Sequence, residues 1–162
     1  GSKKKLKISE SGLQLIKDFE WLHDGNPKTK IVEPMLEPVG YPTIGWGSRY
    51  GLDGKEITMK SQPLTIGECD ELLKRDVRYI ADELNKHTLN QNQFDALTSF
   101  CYNLGIGAFQ KSQIAKNLKS GKAITEKMFT VYSKARDQKT KQLVTLKGLI
   151  IRRKKEYALF MK

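Results

Sequence analysis

EPVGYPTIGWG, residues Glu37–Gly47, places three glycines and two aromatic side chains around a single threonine. The alternation from Tyr41 to Trp46 is typical of a β-strand, yet glycines inside a strand weaken it. Glycines are nevertheless expected in a strand where a ligand or another backbone approaches closely. A phosphate cradle fits poorly, because no helix directly follows Gly47 and no lysine stands in a P-loop position. A strand beside a binding cleft and a tight turn without function remain as alternatives.

The segments on either side of this stretch predict a strand-rich insert between helices. Residues 9–22 repeat apolar side chains at helical spacing, whereas residues 23–61 are rich in Gly and Pro. Strands are predicted within that insert at 30–32, 41–46 and 56–59. Further helices are predicted from a capping box at Thr65–Glu68 to Leu84, from Asn90 to Leu104, and over 112–120, 125–135 and 147–161. On the last helix, Ile150, Tyr157, Phe160 and Met161 are predicted to face the core and Arg152–Lys155 the solvent.

The fold class that follows is α+β, with a small β-sheet lobe, a larger helical lobe and a cleft between them. Residues 1–7 are expected to be a tag and basic N-terminal tail, and 8–162 a single domain. Within that domain, 23–61 would form the β lobe, and 8–22 with 63–162 the helical lobe. Clefts between lobes are common sites of substrate binding.

The charge composition of the chain indicates which kinds of molecule it could bind. The chain has 29 Lys and Arg against 18 Asp and Glu, a net charge of +11. This charge predicts attraction to nucleic acid, an anionic membrane or a bacterial wall, or simply a solvated basic surface. Two cysteines and two histidines show no metal-ligand spacing, so a metal site is not expected. No segment has the length of a transmembrane span or the pattern of a signal peptide.

Two carboxylates are suited to acid–base chemistry. Glu20 stands among apolar neighbours near the end of the first helix, which disfavours its charged form and suits a general acid. Glu37 precedes the glycine-rich strand, where it could hold a water molecule together with the hydroxyl of Thr43. Two carboxyl groups across a cleft are the apparatus of glycoside hydrolysis. Ordinary surface charge is the alternative for either residue.

Phe19-Glu20 followed by Glu37–Gly47 resembles the active-site region of phage-type lysozymes, the family 24 glycoside hydrolases. The resemblance continues through Leu89–Gly105 with Gly107-Ala-Phe109, and ends at Gly148-Leu149 with Arg152-Arg153, Glu156 and Phe160. It covers about residues 8–161, with the motifs in the family's order. The resemblance implies a lysozyme-like fold and a monomeric muramidase, acting without a cofactor. Its substrate would be peptidoglycan, cut at the β-1,4 bond between N-acetylmuramic acid and N-acetylglucosamine.

By position, the resemblance makes Glu20 the general acid, while Glu37 and Thr43 orient and activate water in an inverting reaction. Tyr102 and Ser112 match positions near the family's sugar-binding groove; core packing is the alternative for Tyr102. Arg152 or Arg153 could lie near Glu20, against the alternative of a solvated helix face.

The chain departs from the family pattern in several places. Glu37 replaces the family's aspartate, and its separation from Glu20 is longer than usual. The extra residues contain Glu33 and Asp24, two rivals for the second carboxylate role. Trp21 replaces a glycine and Ser48 a histidine.

Three other functions stay open on the residues alone. The fold could serve as a peptidoglycan-binding module without catalysis, as a nucleic-acid-binding helical domain, or as a chitin-cleaving enzyme. Scattered lysines with no groove-fitting motif argue against nucleic acid. For an endolysin without a visible export signal, the expected location is the host cytoplasm until lysis and then the cell wall. A virion-associated or secreted form is the alternative.

Overall fold

A computed structural model describes residues 5–20, 22, 25–26, 31–36, 40–137 and 139–162. The chain divides into two compact units. The sheet unit is Lys17–Val77, and the helical unit combines Gly1–Ile16 with Arg78–Lys162. The helices are α1 (Glu10–Glu20), α2 (Ile66–Leu84), α3 (Gln91–Leu104), α4 (Ile106–Lys111), α5 (Gln113–Ser120), α6 (Glu126–Thr130) and α7 (Lys147–Phe160). The strands are β1 (Gly25–Asn26), β2 (Ile31–Val32), β3 (Met35–Leu36), β4 (Pro42–Thr43), β5 (Leu64–Thr65), β6 (Lys134–Arg136) and β7 (Leu143–Thr145).

The core of the helical unit is built around α3. A reciprocal capping box begins this helix, because the Asn90 side chain accepts from the Gln93 N–H while the Gln93 side chain accepts from the Asn90 N–H. Residues 94–101 are all buried, and the Phe100 ring contacts Phe109 and Phe129 edge-on. The predicted central helix is therefore confirmed, and it ends at Gly105 as expected.

The N-terminal segment is tied to the helical unit by side chains. The Leu6 backbone donates to and accepts from the Asn85 side-chain amide, both at 2.9 Å. Ser9 donates through its hydroxyl and its N–H to Asp95 on α3. Leu6 and Ser9 thus fix the approach of the chain to α1.

In the sheet unit, very short strands pair antiparallel. β2 pairs with β1 and β5, and β3 pairs with β4 so that Met35 lies opposite Thr43. The predicted strand over 41–46 is confirmed only at its start. After Thr43 the chain forms a tight turn in which the backbones of Ile44 and Ser48 exchange hydrogen bonds of 2.9 and 3.0 Å.

Three local predictions were wrong. Residues 56–59 form no strand, only a single bridge between Glu56 and Tyr50. The predicted helix over 125–135 ends at Thr130, and the chain then enters a hairpin of β6 and β7. On α7, Arg152 and Arg153 are buried while Met161 is exposed.

Candidate active site

Glu20 is the last residue of α1 and lies in the sheet unit with a half-buried side chain. Lys17, one turn earlier, shares the same helix face because residues three apart on a helix are neighbours. Its ammonium lies 2.9 Å from Asp70 on α2 and 4.5 Å above the ring of Trp46. Through Lys17, the face of α1 that carries Glu20 is held against the turn after β4.

Thr43 ends β4 with only 7% of its surface exposed. Its strand is fixed by pairing with β3, and the turn that follows is fixed by the backbone exchange between Ile44 and Ser48. Gly45 in this turn adopts φ +69°, and a Cβ there would lie 2.9 Å from the Cβ of Cys69. The glycine thus allows α2 to pack directly on the turn, as close approach of a backbone requires.

The second carboxylate role has three candidates, and they differ in what the structure describes. Glu37, which falls between β3 and β4 in the chain, lies outside the described residues. Asp24 also lies outside them. Glu33 is described: it is exposed in the short connection between β2 and β3. The choice among these three carboxylates stays a prediction.

A polar network that sequence reasoning missed supports the turn from the α2 side. The Ser48 hydroxyl donates to Asp76 at 2.7 Å, and Arg75 pairs with the same carboxylate at 2.9 Å. Arg75 also donates to the carbonyls of Tyr50 and Gly51 at 2.8 and 2.5 Å. The signal was the polar Ser48 directly after Gly-x-Gly: a buried hydroxyl needs a partner.

Tyr102 and Ser112 both belong to the helical unit. Tyr102 is half-buried on α3. Ser112 is fully buried and is the N-cap of α5: its hydroxyl accepts from the Ala115 N–H at 3.1 Å and donates to the Phe109 carbonyl at 2.6 Å. The Ser112 hydroxyl therefore has a structural role, and sugar contact by either residue stays a prediction.

A buried ionic cluster on α7 was not foreseen. Glu156 lies 2.9 Å from Arg153 and 3.3 Å from Arg152, and it accepts from the Ser99 hydroxyl at 2.6 Å. Arg153 also donates to the Asn103 side chain at 2.7 Å. Burial raises the pKa of Glu156, and the two guanidinium groups oppose this shift. The expected solvated arginine face is instead an internal cluster that joins α7 to α3.

Two further properties concern possible ligands and membranes. Within the described ranges, no three His, Cys, Asp or Glu side chains lie close enough together to hold a metal ion. Across the same part of the chain, none of the helices combines the length and the apolar character needed to span a bilayer.

Known proteins match this chain over most of its length. The family model described as phage lysozyme matches residues 30–156. The endolysin of Bacillus phage PZA is 35% identical over 159 residues, which are 96% of this chain. Those residues are 55% of the relative, so the chain spans about half the length of that endolysin.

Solved structures of an endolysin and of a muramidase domain also match most of this chain. The endolysin from Escherichia coli O157:H7 phage FAHEc1 superposes with a TM-score of 0.82 at 30% identity, covering 99% of this chain and 97% of that one. The muramidase domain of SpmX from Asticaccaulis excentricus superposes with a TM-score of 0.73 at 31% identity, covering 96% and 98%. The predicted α+β, lysozyme-like fold class is confirmed by these neighbours.

Proposed function

This chain belongs to the phage lysozyme family, and from that membership we propose that it is a peptidoglycan-degrading muramidase. The bond cleaved is the β-1,4 linkage between N-acetylmuramic acid and N-acetylglucosamine. Support comes from the whole-chain similarity to an endolysin and to a domain named as a muramidase. The proposed site of action is the bacterial cell wall at host lysis, with the enzyme working as a monomer.

In the proposed mechanism, Glu20 is the general acid that protonates the glycosidic oxygen as the bond breaks. Glu37 takes a proton from the water that attacks the sugar, and the Thr43 hydroxyl orients that water. An inverting route needs the two carboxyl groups about 6.5–9.5 Å apart, so that the water fits between them and the sugar. Tyr102 is proposed to contact a sugar ring.

The observation that carries this proposal is the contact of Lys17 with both Asp70 and Trp46. It ties the helix face of Glu20 to the turn that directly follows Thr43. A general acid must keep a defined position relative to the group that holds the water, because misplacement by about 1 Å can cost a hundredfold in rate.

The test is clearing of a purified peptidoglycan suspension, with mass analysis of the released muropeptides. Glu20→Gln is expected to lower the rate at least about a hundredfold, the usual contribution of general acid catalysis. Asp18→Asn, an exposed neighbour on the same helix, is the matched control and is expected to keep the rate. Full activity of Glu20→Gln would contradict the assigned role of Glu20.

The second carboxylate is tested by comparing Glu37→Gln with Glu33→Gln. Loss of clearing in the first variant alone supports Glu37 as the water-activating group, and loss in the second alone transfers that role to Glu33. Products with reducing N-acetylmuramic ends identify a muramidase. A folded parent that sediments with the wall but releases no fragments would overturn catalysis in favour of a binding module.

A further inference from the structure

The net positive charge of the chain lies in one of its two units. The helical unit contains 21 Lys and Arg against 7 Asp and Glu, a formal charge of +14. The sheet unit contains 8 against 11, a formal charge of −3. Attraction to a polyanion therefore arises in the helical unit, and the proposed chemistry of Glu20 and Thr43 does not explain it.

Within the helical unit, one exposed segment combines cations with apolar side chains. We call residues 134–137 and 139–147 the cationic hairpin; they include β6, the described residues of the connecting turn, β7 and the first residue of α7. Its exposed cations are Lys134, Arg136, Lys139, Lys141 and Lys147. Its exposed apolar side chains are Leu143, Val144 and Leu146, with exposed fractions of 59%, 36% and 42%.

Strand register places the two kinds of side chain together. Lys134 lies opposite Thr145 and Arg136 lies opposite Leu143. Cross-strand partners and alternate residues of a strand share one face of a sheet, so Lys134, Arg136 and Leu143 lie side by side. The whole of β7 is exposed, so Leu143 lies in water beside these cations, while Val144, opposite Ala135, lies on the other face of the hairpin.

The one acidic residue of the cationic hairpin, Asp137, forms hydrogen bonds within the turn. The Asp137 carboxylate accepts from the backbone N–H groups of Lys139 and Thr140 at 2.8 and 2.9 Å. Arg136 donates to the Lys141 carbonyl at 2.5 Å across the same turn. The turn is thus closed by its own hydrogen bonds, while the lysine ammonium groups around it face solvent.

We propose that the cationic hairpin docks on the surface of an anionic phospholipid bilayer. Several Lys and Arg on one exposed element attract acidic lipid headgroups, each contributing about fivefold to the binding constant. An exposed leucine side chain beside those cations is stabilised when it enters the boundary between headgroups and acyl chains. A soluble phosphate polymer would satisfy the cations but would leave Leu143, which shares a face with Lys134 and Arg136, in water, so the bilayer is the favoured partner.

The test is co-sedimentation of the full chain with phosphatidylcholine vesicles, prepared with and without phosphatidylglycerol, at about 0.15 M salt. The parent is expected to sediment only with the acidic vesicles. Lys134→Gln/Lys139→Gln/Lys147→Gln is expected to weaken this binding about a hundredfold. Leu143→Ser is expected to weaken it several-fold at unchanged charge.

The matched control changes charge equally elsewhere on the helical unit. Lys116→Gln/Lys119→Gln/Lys122→Gln removes three exposed lysines from α5 and the loop that follows it, and is expected to weaken binding far less. Equal loss in the two triple variants would show that net charge alone acts and would overturn the proposal. An unchanged Leu143→Ser, together with equal binding to soluble poly(glycerol phosphate), would overturn it in favour of a polymer ligand. Circular dichroism of each variant confirms that the fold is retained, and no readout depends on hydrolysis.

Discussion

At Gly45, two separate requirements exclude a larger residue. The backbone has φ +69°, and a Cβ would approach the Cβ of Cys69 to 2.9 Å. Gly45→Ala is therefore expected to lower the free energy of unfolding by about 2–4 kcal/mol, adding overpacking to backbone strain. Urea denaturation measures this loss.

Gly54→Ala provides the control for Gly45→Ala. Gly54 has a similar φ of +78°, but no atom lies within 4 Å of the position that its Cβ would take. Only backbone strain applies there, so a loss of about 1 kcal/mol is expected. Equal losses in the two variants would contradict the packing of Cys69 against the turn.

Glu83 near the end of α2 makes stability depend on pH. Burial opposes its charged form, but the hydrogen bond from Gln110 and the ammonium of Lys86 together lower the pKa of Glu83 below its usual value. A carboxyl whose pKa is lower in the folded chain stabilises the fold above its unfolded value, about 4.3, and this stabilisation is lost as pH falls through the folded pKa. Glu83→Gln is therefore expected to cost about 1 kcal/mol at neutral pH, and nothing in strong acid.

Thermal unfolding of the parent and Glu83→Gln at several pH values measures this difference. Asp82→Asn alters an exposed neighbour on the same helix and controls for net charge. A difference between the parent and Glu83→Gln that grows as pH falls would contradict the assigned interaction.

At the scale of the element, α5 depends on one buried hydroxyl. Ser112→Ala removes both the cap of α5 and the hydrogen bond to the Phe109 carbonyl, so a loss of about 1–2 kcal/mol in stability is expected. Ser120→Ala, at the exposed end of the same helix, is expected to cost far less. Clearing of peptidoglycan per folded molecule separates the two roles: a merely structural Ser112 leaves that rate unchanged.

Helix boundaries were predictable where the signal is local. The capping box predicted at Thr65–Glu68 forms, and Asn90, predicted as the start of the next helix, is its N-cap. The hairpin of β6 and β7 was missed because its β7 residues are all exposed, so the sequence lacks the alternation that marks a half-buried strand. Residues 125–135 instead suggested a helix that continues to Ala135.

The burial of Arg152 and Arg153 had a readable signal. Arg152, Glu156 and Phe160 follow one another at intervals of four, and Phe160 was expected to face the core. A carboxylate one turn after two arginines allows all three to be buried together. A run of four basic residues is more typical of a solvated helix face, and for this reason the burial of the two arginines was not predicted.

The candidate site was predictable only in part. Glu20 and Thr43 came from a family resemblance, and their roles stay predictions. Supporting groups such as Arg75 and Asp76 were not accessible from the sequence, because they reach the turn through contacts across 24 to 28 residues. Local patterns do not encode such long-range partners.

At the scale of the whole molecule, unequal charge predicts unequal response to salt. The helical unit has a formal charge of +14, so repulsion between its like charges destabilises it. The sheet unit has a formal charge of only −3, and this repulsion is small there. Raising the salt from about 0.01 M to about 0.1 M shortens the Debye length from about 30 to about 10 Å. Amide hydrogen exchange in α5 and α7 is therefore expected to slow, with little change in the sheet unit; a uniform change would contradict the prediction.

Cys69 and Cys101 are free, buried thiols, one in each unit. Burial raises the pKa of Cys69 to about 11 and raises the pKa of Cys101 further. Both thiols are therefore unreactive to alkylating reagents until their surroundings open. The rate at which each thiol is alkylated therefore measures the rate of local opening around it. Mass spectrometry of the alkylated peptides gives this rate for each unit separately, and no engineered label is needed.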